Sequence, residues 1–262
     1  MMQNAIHRLA FLLLVSPLAS FAQLTTIASY AGGENDFSPV NGGLVSLAVD
    51  GSGNANDLLS EGAPRWSSLA SPGSAAYDSG APSTFSYYFD GSSSMSISPP
   101  LTSALNNWGM ETWVRLDNTI GIQIFMLNGE GGNGYGLVLL NGRWNALLGG
   151  VGYMDGSAAS INTWTHLALV NDEGVNEFFI NGTSVASDLN IISQPMDQFS
   201  LGKDPSDNFM TGYLDQARLF TFTGNFNPAS LNLSSIPEPA TFTALAGLAA
   251  LGLAATRRRR AA

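Results

Sequence analysis

Phe178-Phe179-Ile180-Asn181-Gly182-Thr183-Ser184-Val185 is the stretch on which the fold class turns. Asn followed by Gly accepts positive φ at both central positions of a type I′ turn, and the twist of that turn matches two antiparallel strands. The aromatic and β-branched residues on either side suit those strands. Outward from this hairpin, Asn-Gly recurs at Asn41-Gly42, Asn128-Gly129 and Asn141-Gly142, between short apolar runs broken by turn residues. No long window carries helical periodicity. Gly62 to Pro82 is rich in Ser, Ala, Pro and Gly and predicts a long surface loop. Many short antiparallel strands must close into a barrel or pair as two sheets, and about 200 residues suit a sandwich.

Both ends of the chain differ from its middle. Met1 to Ala22 has a weakly basic start at His7 and Arg8, an apolar stretch from Leu9 to Val15, and a small-x-small site at Ser20-Phe21-Ala22. That is the pattern of a signal peptide, so the mature chain is expected to begin at Gln23. At the other end, Pro237-Glu238-Pro239 precedes an almost purely apolar run from Ala240 to Ala255, followed by Arg257, Arg258, Arg259 and Arg260. A transmembrane helix needs roughly 17–25 apolar residues, and this run, rich in Ala, Gly and Leu, is at the short and weakly hydrophobic end. The arginines are expected to stay on the cytoplasmic side. This order resembles the PEP-CTERM sorting signal of Gram-negative bacteria that make exopolysaccharide. The resemblance implies export, transient inner-membrane anchoring and processing of 236–262 by an exosortase. The cargo would then reside at the cell-envelope surface or in the extracellular matrix.

Residues 23–235 carry Arg65, Arg115, Arg143, Lys203 and Arg218 against nineteen carboxylates, the twenty of the chain less Glu238, for a net charge of −14. Such acidity disfavours nucleic acid as a partner. It suits a solvated surface that recruits divalent cations, and solubility alone also accounts for it. There is no cysteine, so disulfides and thiol catalysis are excluded. With His7 in the signal peptide, His166 is the one histidine left, which argues against a histidine triad or a zinc site.

Five further stretches lie in order along the chain. They are Tyr88-Phe89-Asp90-Gly91-Ser92 with Met95-Ser96-Ile97, Glu111-Thr112-Trp113-Val114-Arg115-Leu116, Trp164-Thr165-His166-Leu167-Ala168-Leu169-Val170, Ile180-Asn181-Gly182, and Gly212-Tyr213-Leu214-Asp215-Gln216-Ala217-Arg218-Leu219-Phe220. Together they resemble laminin G-like domains of the concanavalin A-like lectin/glucanase superfamily. Upstream, Asp50-Gly51-Ser52-Gly53-Asn54-Ala55-Asn56-Asp57 is similar to the lead of many such bacterial domains. The resemblance implies an all-β, two-sheet antiparallel jelly-roll sandwich over 23–235, flanked by the signal peptide and a single C-terminal transmembrane sorting helix.

Between Gly109 and Asp117, Met110, Thr112, Val114 and Leu116 alternate with Glu111, Trp113, Arg115 and Asp117, so one face suits a core and the other a polar surface. Trp113 on that polar face is a candidate platform for a sugar ring, unless a neighbouring strand or loop covers it. For Trp164 the family resemblance implies a core position at the start of a central strand. In the last strand Asp215 shares a face with Ala217 and Leu219, which points its carboxylate inward, and a buried charge needs a partner or a metal. The family resemblance implies a structural Ca²⁺ on this aspartate with N-terminal oxygens, for which Asp50, Asn54 and Asp57 are candidates. Ca²⁺ takes six to eight oxygens. A backbone N–H partner for Asp215, and a turn at 50–57, are the plainer alternatives.

The paired carboxylates of the superfamily's glucanases, Glu-x-Asp-x-x-Glu on one strand, are absent. Asp172-Glu173 with Glu177, and Asp204 with Asp207, sit beside predicted turns. The expected protein is a non-catalytic surface or matrix component that binds carbohydrate or another envelope component. A glycan-active hydrolase and a purely structural matrix protein are the rival readings.

Overall fold

The computed structural model describes residues 23–34, 36–73, 82–130 and 132–233, so the signal peptide and the sorting segment lie outside the described residues. In chain order the strands are β1 (Gln23–Tyr30), β2 (Leu47–Ala48), β3 (Leu58–Glu61), β4 (Arg65–Ser67), β5 (Ser86–Asp90), β6 (Ser94–Ile97), β7 (Trp108–Leu116) and β8 (Ile122–Glu130). They continue as β9 (Asn133–Leu140), β10 (Arg143–Leu148), β11 (Gly152–Ala158), β12 (Thr165–Asp172), β13 (Val175–Ile180), β14 (Thr183–Asp188), β15 (Phe199–Leu201) and β16 (Thr211–Thr223). One sheet runs β14-β13-β12-β7-β16-β5-β4, and the other β11-β10-β9-β8-β15-β6-β3-β2. The two pack as an antiparallel sandwich, as the turn chemistry predicts. Among the described residues no helix is long and apolar enough to cross a membrane.

The Asn-Gly turns behave in two ways. Asn181 and Gly182 have φ of 49° and 75°, and Asn141 and Gly142 have 51° and 71°, so both pairs make the positive-φ turns of tight hairpins. Asn128-Gly129 instead lies inside β8, where a Cβ on Gly129 would sit 2.2 Å from the Asn133 carbonyl oxygen. That glycine serves close approach of two strands.

The main core fills the space between the sheets, with Met110, Val114 and Leu116 of β7 contributing and Trp108 stacked on Tyr135 at 3.5 Å between ring centroids. Trp144 is also buried there, whereas Trp164 is only half-buried and stands beside Tyr213, contrary to the core position expected for it. It precedes β12 by one residue and is on the other side of the sheet from the core residue Leu167.

β16 departs from simple alternation. Its first part pairs with β5 and its second with β1, and the register shifts between Asp215 and Arg218, with Gln216 at a φ of 53°. Leu214, Ala217 and Leu219 all reach the core. Asp215, opposite Trp113, therefore falls on the outer face, not on the Ala217 face that alternation predicted. An extra residue in a β-bulge has this effect, because side-chain direction has a period of two.

The outer face of this sheet is half covered. A second apolar cluster joins Ala168, Val170, Phe179, Phe220 and Phe222 to Leu231, with Leu24, Phe226 and Leu233 packed against it. Residues 224–233 thus cross the sheet as a strap, turned by a short 3-10 helix at Pro228–Ser230 that Asn227 caps. Residues 74–81 of the 62–82 stretch lie outside the described residues; the rest is more than a surface loop, since it supplies β4 and a buried Ser71.

Candidate functional site

The covered half of the sheet holds a buried charge network. Glu111 and Arg218 face each other across β7 and β16. Glu111 is fully buried, accepts from the Arg218 Nε at 2.6 Å, and stands 2.9 Å from the His166 Nε2. The strap completes it: the Asn232 backbone N–H donates to Glu111 at 2.9 Å and Arg218 donates to the Ser230 carbonyl at 2.8 Å. Burial pushes the Glu111 pKa up, but Arg218 and His166 outweigh it and hold the carboxyl below its usual range. The polar surface expected at this position is therefore an ionic layer beneath the strap.

Trp113 belongs to the same covered half. It is 6% exposed, and its indole N–H donates to the Asn232 carbonyl at 2.8 Å. Gly73 lies so close that a Cβ there would be 2.6 Å from the indole nitrogen. With its N–H used and its ring roofed, Trp113 is not open to a sugar, which corrects the platform expected of it.

The three carboxylates assigned to calcium are not gathered. Asp50 accepts from the Ser29, Ser52 and Asn56 backbone N–H groups and the Ser52 hydroxyl, and Asp57 accepts from the Asp50 N–H, so both organise their own turn. Asn54 there donates its amide to the Thr26 and Ile27 carbonyls. Among the described residues no group of three acidic or histidine side chains could hold a metal. Asp215, fully buried, accepts from the Ser71, Gly32 and Gln216 N–H groups and the Ser83 hydroxyl. Desolvation nevertheless raises its pKa to about 6, with the nearby Glu34 adding to the effect. The Ser83 hydroxyl also reaches Glu34, whose second carboxylate oxygen is buried without a partner.

These groups carry opposite pH signatures. Glu111, with its pKa depressed, stabilises the fold above the unfolded carboxylate value, and that contribution is lost as pH falls through the folded value. Asp215, with its pKa raised, favours the fold in acid and loses that contribution as pH rises from about 4 to about 6. Asp215→Asn is therefore expected to flatten the decline of melting temperature over pH 4–6. An unaltered profile would show that Asp215 titrates normally.

The other half of the outer face is open. Register places Arg65 opposite Tyr88, Tyr88 opposite Tyr213, and Tyr213 opposite Arg115, so one rank crosses β4, β5, β16 and β7. The tyrosine rings stand 4.9 Å apart, Arg115 lies 5.1 Å from the Tyr213 ring centre, and Trp164 meets Tyr213 edge-on at 6.4 Å. Asn41, Gly42, Arg65, Trp66, Ser67, Tyr88 and Tyr213 line a groove of about 150 Å³ here. Trp66 is pinned by its N–H to Asp36 at 2.8 Å. Sequence reading missed this groove, since only the strand order β4-β5-β16-β7 brings its residues together.

Residues 89–224 match the family model described as the concanavalin A-like lectin/glucanases superfamily. The chain belongs to this superfamily. Residues 235–260 match the PEP-CTERM protein-sorting motif, which marks this superfamily member as an exported protein directed to the Gram-negative cell envelope. No curated protein matches the sequence. Among solved structures, domain 4 of the extracellular GH43 arabinanase AbnA from Geobacillus stearothermophilus, in complex with arabinotriose, is 21% identical with a TM-score of 0.53, over 80% of this chain and 97% of that one. Trypanosoma rangeli sialidase in complex with sialic acid is 13% identical with a TM-score of 0.52, over 78% of this chain and 31% of that one. The botulinum neurotoxin serotype D binding domain is 16% identical with a TM-score of 0.51, over 80% of this chain and 51% of that one. At these identities the likeness is one of fold, and this superfamily member spans only part of the latter two chains. The fold is shared by glycosidases and by binding domains.

Proposed function

We propose that this protein is a non-catalytic carbohydrate-binding component of the cell surface or extracellular matrix, released from its membrane anchor by an exosortase, and that the open groove receives the sugar. The observation that carries this reading is the pair of half-buried tyrosines, Tyr88 and Tyr213, side by side on an uncovered sheet face. Such rings offer an apolar body for stacking and a hydroxyl for a hydrogen bond. Support also comes from domain 4 of the arabinanase, whose structure holds arabinotriose. The Glu111 carboxylate is roofed and ion-paired, which leaves it no contact with a substrate. Asp204, one of the carboxylates beside predicted turns, caps its own turn through the Ser206 and Asn208 N–H groups.

A glycan array probed with residues 23–235 tests this reading. Specific binding that weakens about tenfold or more in Tyr213→Ala or Tyr88→Ala is expected, as for a central aromatic contact. Hydrolysis of a bound glycan would overturn the non-catalytic reading, and binding indifferent to both substitutions would overturn the groove.

Calcium would be held by Asp215 and Glu34, which share the Ser83 hydroxyl; Asp50 and Asp57 belong to the separate 50–57 turn and would take no part. A cation there would supply a counter-charge to Asp215, which has no salt bridge among the described residues. Added CaCl₂ is then expected to raise the melting temperature of the wild type and not of Asp215→Asn. A chelator without effect on either would count against the site.

A further inference from the structure

We infer that the sugar taken by this groove is anionic, a uronate-containing or otherwise acidic saccharide, with Arg65 and Arg115 as the two ends of its clamp. The inference rests on the groove reading above and adds the charge of the ligand. Five basic residues serve a region with nineteen carboxylates, so where they stand is informative. Arg218 is consumed by Glu111, Lys203 by Glu61 at 2.6 Å and Asp207 at 3.4 Å, and Arg143 donates to the Gly156 carbonyl at 2.5 Å. The remaining two, Arg65 and Arg115, flank the tyrosine pair in a single rank across four strands.

Neither end is fully engaged by the protein. Arg65 is exposed and donates from one Nη to the Gly42 carbonyl at 2.8 Å, and among the described residues no carboxylate pairs with it. Arg115 reaches the Asn162 side-chain oxygen at 3.0 Å and has only a long, 3.7 Å approach to Asp117, itself part-exposed. The planar guanidinium forks so held can each offer two parallel donors to a carboxylate. The tyrosines between them supply the stacking surface. A neutral sugar uses the rings and offers the arginines hydroxyl acceptors alone; an acidic one adds carboxylates that the guanidinium forks pair with.

Binding of oligogalacturonides and of neutral galacto-oligosaccharides of equal length, measured by calorimetry on residues 23–235 at two salt concentrations, tests this. Oligogalacturonides are expected to bind about tenfold or more tightly than their neutral counterparts, and to lose that margin in Arg65→Gln and at high salt. Arg115→Gln should do the same, with melting temperatures of both variants confirming that they are folded. Equal affinity for the two sugars, with Tyr213→Ala weakening both, would overturn the anionic preference and leave the groove standing. Binding indifferent to Tyr213→Ala and Arg65→Gln alike, or none to either sugar, would overturn the groove and this inference together.

Discussion

Glu111→Gln is expected to lower the melting temperature by roughly 10 °C. The substitution keeps the shape but removes the charge that faces Arg218, which is 5% exposed, and it weakens the acceptor of the Asn232 N–H in the strap. Breaking a buried ion pair from one side costs about 3–5 kcal/mol. In a domain of this size each kcal/mol shifts the midpoint by about 2–4 °C. Adding Arg218→Met should recover much of the loss, because removing both charges leaves nothing stranded. Thermal melts at neutral pH decide the matter: a change below about 2 °C in the single variant would mean that water reaches Arg218. The same variant should lose part of its stability slope below the ordinary carboxylate pKa, since Glu111 no longer contributes there.

Ending the chain at Thr223 is expected to abolish soluble folding, while a chain ending at Leu233 retains the strap contacts found among the described residues and serves as the reference. The shorter chain uncovers Phe179, Phe220, Phe222 and Trp113, each at most 6% exposed. Burial of one large aromatic side chain is worth about 3 kcal/mol, and four such losses approach the whole of a typical folding free energy of about 5–15 kcal/mol. The network around Glu111 would open to solvent as well. Recovery of the Thr223-ended chain as a monomer with an unchanged melting curve would show that the strap is ornamental. Expression with 23–233 alongside, followed by size-exclusion chromatography and thermal melting, provides the comparison.

What could be read from the sequence was local. Asn181-Gly182 announces its turn because positive φ is a property of two adjacent residues, and β7 announces its core face because alternation is written along one strand. The errors lie where distant segments decide the outcome. Glu111 and Trp113 were placed on the correct face of β7, but alternation does not say what lies over that face, and the strap ends more than 100 residues downstream. Asp215 was recognised as buried, yet the bulge at Gln216 sent it to the opposite side of the sheet. The Arg65–Tyr88–Tyr213–Arg115 rank was invisible for a similar reason. Its members come from four strands whose neighbours are set by topology, and no short motif encodes that order.

The cluster beneath the strap joins Leu24, at the start of β1, to Leu233, the last residue described. Among the described residues the first strand pairs with the last one, β16, alone, and both are sealed by residues that come later still. A chain emerging amino-end first across a membrane therefore offers β1 no partner until nearly everything else has crossed. Pairings of such long sequence separation form slowly. The sandwich shuts from its two ends at once, and it does so only when the sorting motif at 235–260 is the next segment in line.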